Sequence, residues 1–214
     1  MSALVDSAPV KASEPIAPRT RTRHRRDDLL SAAADTVVRR GCADTRYRDV
    51  AEAAGVAVAT LQYHFPTLDD LLREAMRFGV RAELELLRRR VEPIDDPWQR
   101  LRELIRTVIG TDASRRTGGW QRWMEYWRLA SRDEQIAADC HETEAAWLEV
   151  AERAIADGIE RQLFRTDRTP NEAAVELHAL IDGLGIRLAR RHDDSRALDA
   201  IAIAEHSARS MLLG

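Results

Sequence analysis

The sequence predicts an all-α fold, and three features of it do so. From Asp27 onward, apolar residues recur every three or four positions, the spacing of a helix face. No stretch alternates apolar and polar residues with the period of two that marks a half-buried strand. Helix start and stop signals punctuate the chain at short intervals. With 214 residues, 44% of them hydrophobic, the chain can bury the core of one large domain or two small ones. Charged residues make up 32%, and no apolar run approaches the ~20 residues of a membrane span, so no membrane partner is expected. The N-terminus lacks a signal-peptide core, and Cys42 and Cys140 stand alone without metal-ligand spacing. A reducing, cytoplasmic setting with no metal and no cofactor is the expectation.

Residues 1–24, rich in Ala, Pro and Ser, read as a disordered tail. A basic arm closes it: Arg19, Arg21, Arg23, Arg25 and Arg26, placed to reach a minor groove or phosphates, or simply a solvated charge run. The first helix is expected over Asp27 to Arg40, with Leu29, Leu30, Ala33, Ala34, Val37 and Val38 on its apolar side and Gly41 as its stop. Next comes YRDVAEAAGVAVATLQYHF, Tyr47 to Phe65. Val50, Ala51 and Ala54, then Val58 and Leu61, form two apolar faces, and Gly55 between them suits a left-handed turn. Thr45 is the expected N-cap of the first of these helices. The second exposes Thr60, Gln62, Tyr63 and His64, side chains able to meet phosphates or base edges. Such a pair also occurs as a plain helical hairpin, but the charge favours DNA. Residues 19–64 carry nine Arg against six acidic residues, while 65–214 carry 23 Arg against 28.

The segment RDDLLSAAADTVVRRGCADTRYRDVAEAAGVAVATLQYHFPTLDDLL resembles the N-terminal DNA-binding domain of the TetR/AcrR family of transcriptional regulators. The likeness rests on Gly41, Thr45, the AxxAGV turn from Ala51 to Val56, and the TLxxHF run from Thr60 to Phe65. It implies a helix-turn-helix domain over residues 25–70 and a regulatory and dimerisation domain over 71–214. It further implies that a double-stranded DNA operator is met by Arg25, Thr45, Arg46, Arg48, Ala57, Val58, Thr60, Gln62, Tyr63 and His64. Three positions depart from the family pattern. Ala57 replaces a capping Ser or Asn, which costs about 1 kcal/mol of local stability. Gln62 replaces the usual tyrosine, and its amide can pair with adenine. Leu68 replaces a backbone-contacting lysine, which should make the salt dependence shallower.

Further helices are expected from Thr67 to about Arg90 and from Asp96-Pro97. Another runs from Trp120 to Ala130 after a break at Gly118-Gly119. A capping box at Ser131 and Glu134 starts a long helix toward Leu163, and a second box at Thr169 and Glu172 starts one to about Arg191. The last runs from near Ser195 to Leu212. Ala174, Leu177, Ile181, Leu184 and Leu188 form one stripe; Leu198, Ile201, Ala204, Ala208 and Met211 form another. Spacing alone leaves open whether these stripes face the chain's own core or a twin. The family resemblance implies a homodimer joined through Leu177, Ile181, Leu184, Leu188, Ile201, Ala204 and Ala208, and an inverted-repeat operator.

Trp120, Trp123 and Trp127 share one helix face, with Met124 and Tyr126 beside them and Trp147 on the next helix. Such stripes are ordinary core, or they wall a pocket for a flat or cationic apolar ligand, with Glu125 or Glu144 as counter-charge. The WQRWMEYW helix and the ALIDGL run resemble the C-terminal domain of the choline-responsive betaine regulators within the family. That likeness implies a regulatory domain and no particular ligand; topology and analogy with the family as a whole imply an inducer bound among the central helices that moves the Leu68–Arg90 helix. A C-terminal domain that only docks a protein partner is the alternative. His178 and Asp182 lie four apart and could pair across one turn. No HExxH, GxSxG or phosphate loop appears, so no enzyme is expected.

Overall fold

The computed structural model describes residues 18–110, 113–191 and 196–214, with the side chains of 18–25, 113–117 and 190–191 outside the described set. Among the described residues there are nine helices and no strand. The first three are α1 (Pro18–Arg40), α2 (Tyr47–Ala54) and α3 (Val58–His64). Helix α1 begins at Pro18 rather than near Asp27, so the basic arm is the first turns of a helix, and proline suits its opening position. Gly55 adopts φ 64° and ψ 34°, and Val56 N–H reaches Ala51 O at 3.0 Å, which closes α2 and sets the turn into α3.

Thr45 does not cap α2. It is fully buried, and its hydroxyl donates to Gly41 O at 2.7 Å, pinning the loop after α1. Arg46 occupies the N-cap position, where a guanidinium has no acceptor to offer. Asp49 supplies the helix start instead by accepting the Arg46 N–H at 2.9 Å. Ala57 opens α3 without a side-chain cap, as its methyl dictates.

Helix α4 (Leu68–Val91) is capped by Thr67, whose Oγ1 accepts Asp70 N–H at 3.1 Å. It serves two cores in turn. Leu71, Leu72, Ala75, Met76 and Val80 pack with Leu29, Val37, Val50, Leu61 and Phe65 of the N-terminal helices. Leu84, Leu87 and Val91 pack with the C-terminal helices. The expected boundary at residues 70–71 therefore falls inside a continuous helix.

The C-terminal helices are α5 (Pro97–Ile109), α6 (Ala113–Ala130), α7 (Glu134–Glu160), α8 (Pro170–Arg191) and α9 (Ala197–Leu213). Asp96 caps α5 by accepting Gln99 N–H at 2.7 Å. Gly118 and Gly119 do not interrupt α6, which runs through both. The cap of α7 is Asp133, accepting from Gln135 and Ile136 N–H at 2.9 and 3.1 Å. Ser131 instead donates to Arg128 O at 2.9 Å and finishes α6. The Thr169–Glu172 capping box of α8 forms as expected, with bonds of 3.2 and 2.8 Å.

The two apolar stripes of α8 and α9 face inward except at Leu198, the first residue of the second stripe, which is exposed. Leu177, Ile181, Leu188, Ile201, Ala204 and Ala208 are all buried in the chain's own core, and half-buried Leu184 packs against it. The outer side of the same helices carries Val175, Leu198 and Ile203, exposed by 46%, 74% and 48%, and a Cβ on Gly183 would meet open space.

Candidate DNA-binding face and ligand chamber

Helix α3 is held from beneath and free above. Leu61 and Phe65 are fully buried, half-buried Val58 packs on the same core, and Tyr47 of α2 donates its hydroxyl to Phe65 O at 2.7 Å. That bond ties the end of α3 to the start of α2, a role the motif does not announce. The opposite side presents Ala57, Gln62 and Tyr63 to solvent, Tyr63 by 84%, with Thr60 and His64 half-buried at its edges. The ring of Tyr63 stands edge-on to that of His64 at 5.2 Å.

Several expected DNA contacts are engaged elsewhere. Thr45 is buried, and Val58 turns toward the core. Arg46 folds back onto Ala43 O and Thr45 O at 2.6 and 2.9 Å. Arg48 is exposed beside it. Of the basic arm, Arg26 stacks on the Phe65 ring at 4.7 Å and pairs with Glu74, so its charge is spent on fastening α1 to α3 and α4. The Arg25 side chain lies outside the described residues. Leu68 is half-buried against the N-terminal core, which explains an apolar residue there.

A cavity of about 890 Å³ opens along α4 and α6 and is continued by α7 and α8. Its walls include Trp120, Trp123, Trp127 and Trp147, with Glu144, His178 and Asp182. Trp123 is the hub of the aromatic set, 5.6 Å from Trp127 and 6.1 Å from Trp147 between ring centres. Trp127 Nε1 donates to Glu144 Oε1 at 2.6 Å. His178 Nε2 lies 3.7 Å from Asp182 Oδ2, so the pair four residues apart faces the chamber. Burial raises the Asp182 carboxyl above its ordinary range; His178 pulls it down and Glu144 pushes it further up.

Two expected ligand residues are not on this wall. Tyr126 is fully buried in the N-terminal core and donates to Asp139 Oδ2 at 2.7 Å, on a carboxylate that also pairs with Arg77 of α4. Glu125 faces the loop after α1, accepting from Cys42 N–H at 3.4 Å and from Arg128 at 3.0 Å. Between them, Arg122 pairs with Glu83 of α4 and lies 3.4 Å from Asp35 of α1. One face of α6 thus walls the chamber while the other holds the N-terminal helices. Glu83 is half-buried, and desolvation raises its carboxyl while Arg122 opposes that rise.

A short helix set on a glycine turn, joined through one long helix to a second helical core, defines a helix-turn-helix protein with a C-terminal helical domain. Residues 29–75 match the family described as bacterial regulatory proteins of the tetR family, and 97–213 match the BetI-type transcriptional repressor C-terminal domain. The HTH-type transcriptional regulator BetI of Stenotrophomonas maltophilia is 30% identical over 184 residues, 84% of each chain. That of Brucella anthropi is 27% identical over 190 residues, 89% of this chain and 94% of its own. A protein of Saccharomonospora viridis solved in complex with choline superposes with a TM-score of 0.78 at 26% identity, covering 89% of this chain and 98% of that one. The chain belongs to the TetR family, with a BetI-type C-terminal domain. It is a DNA-binding transcriptional regulator and not an enzyme. Among the described residues no helix is long and apolar enough to cross a membrane.

Proposed function

We propose that this regulator is a homodimeric, cytoplasmic repressor of an inverted-repeat operator, released when a quaternary ammonium cation of the choline class enters the aromatic chamber. The observation that carries the reading is the gathering of four indoles around one cavity with Glu144 and Asp182. Indole faces attract a desolvated cation by about 2 kcal/mol, and the carboxylates offset its charge. The choline complex of the Saccharomonospora viridis protein supports the same ligand class.

The uncovered outer side of α8 and α9, with Val175, Leu198 and Ile203, supports pairing with a second copy. Two-fold pairing sets the spacing of the two recognition helices, and with it the fit to successive half-sites. Ligand bound against Trp120, Trp123 and Trp127 would shift α6. That shift reaches α4 through Arg122–Glu83 and α1 through Asp35, and so alters the spacing. Calorimetric titration with choline, paired with operator binding by fluorescence anisotropy, tests the reading. Saturating choline that leaves operator affinity unchanged sinks it.

A further inference from the structure

The charges that line the chamber are sorted along its length. Helices α4 and α6 pass it in opposite directions, since Arg122 lies over Gly79 and Gly119 lies beside Glu83. Trp123 and Trp127 follow Arg122 on α6, so they stand at the Phe78 end of the α4 wall. Glu144, bonded to Trp127, is at that end too, and Asp182 is close enough to feel its charge. Midway, Arg122 pairs with Glu83 and with Asp35. The far end is different. Arg89 and Arg90 of α4 and Arg106 of α5 line it, with Arg90 Nη1 3.4 Å from Thr107 Oγ1 near the close of α5. The carboxylates that Arg90 and Arg106 meet, Glu103 at 3.8 Å and Glu205 at 3.0 Å, do not line the chamber. Arg89 is exposed and has no hydrogen-bond or ion-pair partner among the described residues. Phe78 and Arg89 are eleven residues apart on one helix, which is about 16 Å by the helical rise.

Resting on the quaternary ammonium reading, we infer that the ligand is a long zwitterion: its ammonium lies against the indoles, and its anionic group, a carboxylate or a phosphate, lies about three helical turns away among Arg89, Arg90 and Arg106. Guanidinium groups hold such anions through paired N–H donors, and Arg89 has all of its donors to give. A short zwitterion does not serve, because an anion held close to the ammonium would face Glu144 and Asp182. A small cation alone would fill one end of a cavity of about 890 Å³ and leave the arginine end to water. The three arginines stand at an exposed mouth, so salt screens their share of the binding more than the share of the indoles.

11-(Trimethylammonio)undecanoate and its primary amide share head, chain and shape, and differ by the anionic charge. Their ten methylenes give the reach. Calorimetry on the full chain at constant pH and low salt should give the acid at least fivefold higher affinity than the amide, falling below twofold at high salt. The three-methylene pair, 4-(trimethylammonio)butanoate and its amide, should show no preference for the acid. In Arg89→Gln the long acid's advantage should at least halve, and in Arg89→Gln/Arg90→Gln it should fall below twofold, with the amide's own affinity held. A long amide that binds as tightly as its acid overturns the inference while leaving the cation reading standing. So does an advantage that persists in both variants, or one equally large in the three-methylene pair. Binding of neither long compound at millimolar concentration removes the cation reading and the inference with it.

Discussion

The two cores that share α4 are packed to different standards. In the N-terminal core the groups that shape α3 find partners: Thr45 bonds Gly41, Tyr47 bonds Phe65, and the loop after α1 is closed by Glu125. What remains outside is a small set of side chains, Gln62 and Tyr63 with Thr60 and His64 at the edges. The C-terminal helices instead leave a cavity open against α1 and α4, walled by Trp120, Trp123, Trp127 and Trp147. A surface that reads a rigid duplex gains from being preformed, whereas a sensor must leave interactions for its ligand to complete. Helix α6 belongs to both, with Trp123 toward the chamber and Tyr126 inside the N-terminal core.

Substitutions that touch one region and spare the other probe this contrast. The largest effect is expected from Gly185→Ala, whose methyl would collide with Trp120. Overpacking there costs about 1–3 kcal/mol of stability, and the displaced indole should lower choline affinity at least 30-fold by calorimetry, taking the loss as ~2 kcal/mol. Operator affinity measured by anisotropy should stay within about threefold, because no N-terminal contact changes; an equal loss of both would break the contrast. On the other side, Gln62→Ala should weaken operator binding by about 1–3 kcal/mol and relax base preference in selection from random DNA, with choline affinity untouched. Unaltered preference would remove Gln62 from the readout.

A smaller effect is expected from pH. The Asp182 carboxyl stands above its ordinary range because of burial and Glu144, so in the free protein it takes up a proton at higher pH than an exposed aspartate. A bound cation favours the ionised form, so binding releases a proton. Cation affinity should therefore fall as pH is lowered through the Asp182 titration. Asp182→Asn should flatten the profile. The sign is opposite for folding: a raised carboxyl favours the folded state at low pH, so Asp182 itself adds no acid lability. Smallest of all, Ala57→Ser restores an acceptor to the start of α3 and should add about 1 kcal/mol, read as a rise of roughly 2–4 °C in melting temperature. No rise would mean that the α3 start is already satisfied.

Local rules were legible where one residue type admits one geometry. Gly55 in the left-handed region, the Thr67, Asp96 and Thr169 caps, and the bounds of α3 follow from backbone chemistry within four residues. They failed where several nearby groups competed for a role. Asp133 caps α7 in place of Ser131, and Asp49 completes α2 in place of Thr45. At α7 the Asp133 carboxylate accepts two first-turn N–H groups, and at α2 the Asp49 carboxylate accepts the Arg46 N–H while the Thr45 hydroxyl is spent on Gly41 O. Glycine pairs mislead too, because Gly118-Gly119 reads as a break yet lies inside α6.

The sequence by itself determined an all-α chain, its helix-turn-helix, the exposed Gln62 and Tyr63 and the three indoles on one face of α6, because helical periodicity assigns faces within a single element. Only the tertiary structure decided what those faces meet. It buried the α8 stripe and all of the α9 stripe but Leu198 at home, and left Leu198 outside with Val175 and Ile203. It turned Glu125 and Tyr126 toward the N-terminal helices, and it brought Glu144, His178 and Asp182 to the chamber. The physical reason is that a helix has more than one buried side. Which side receives a ligand, a neighbour or a second copy depends on groups dozens of residues away, and no spacing within the helix records them.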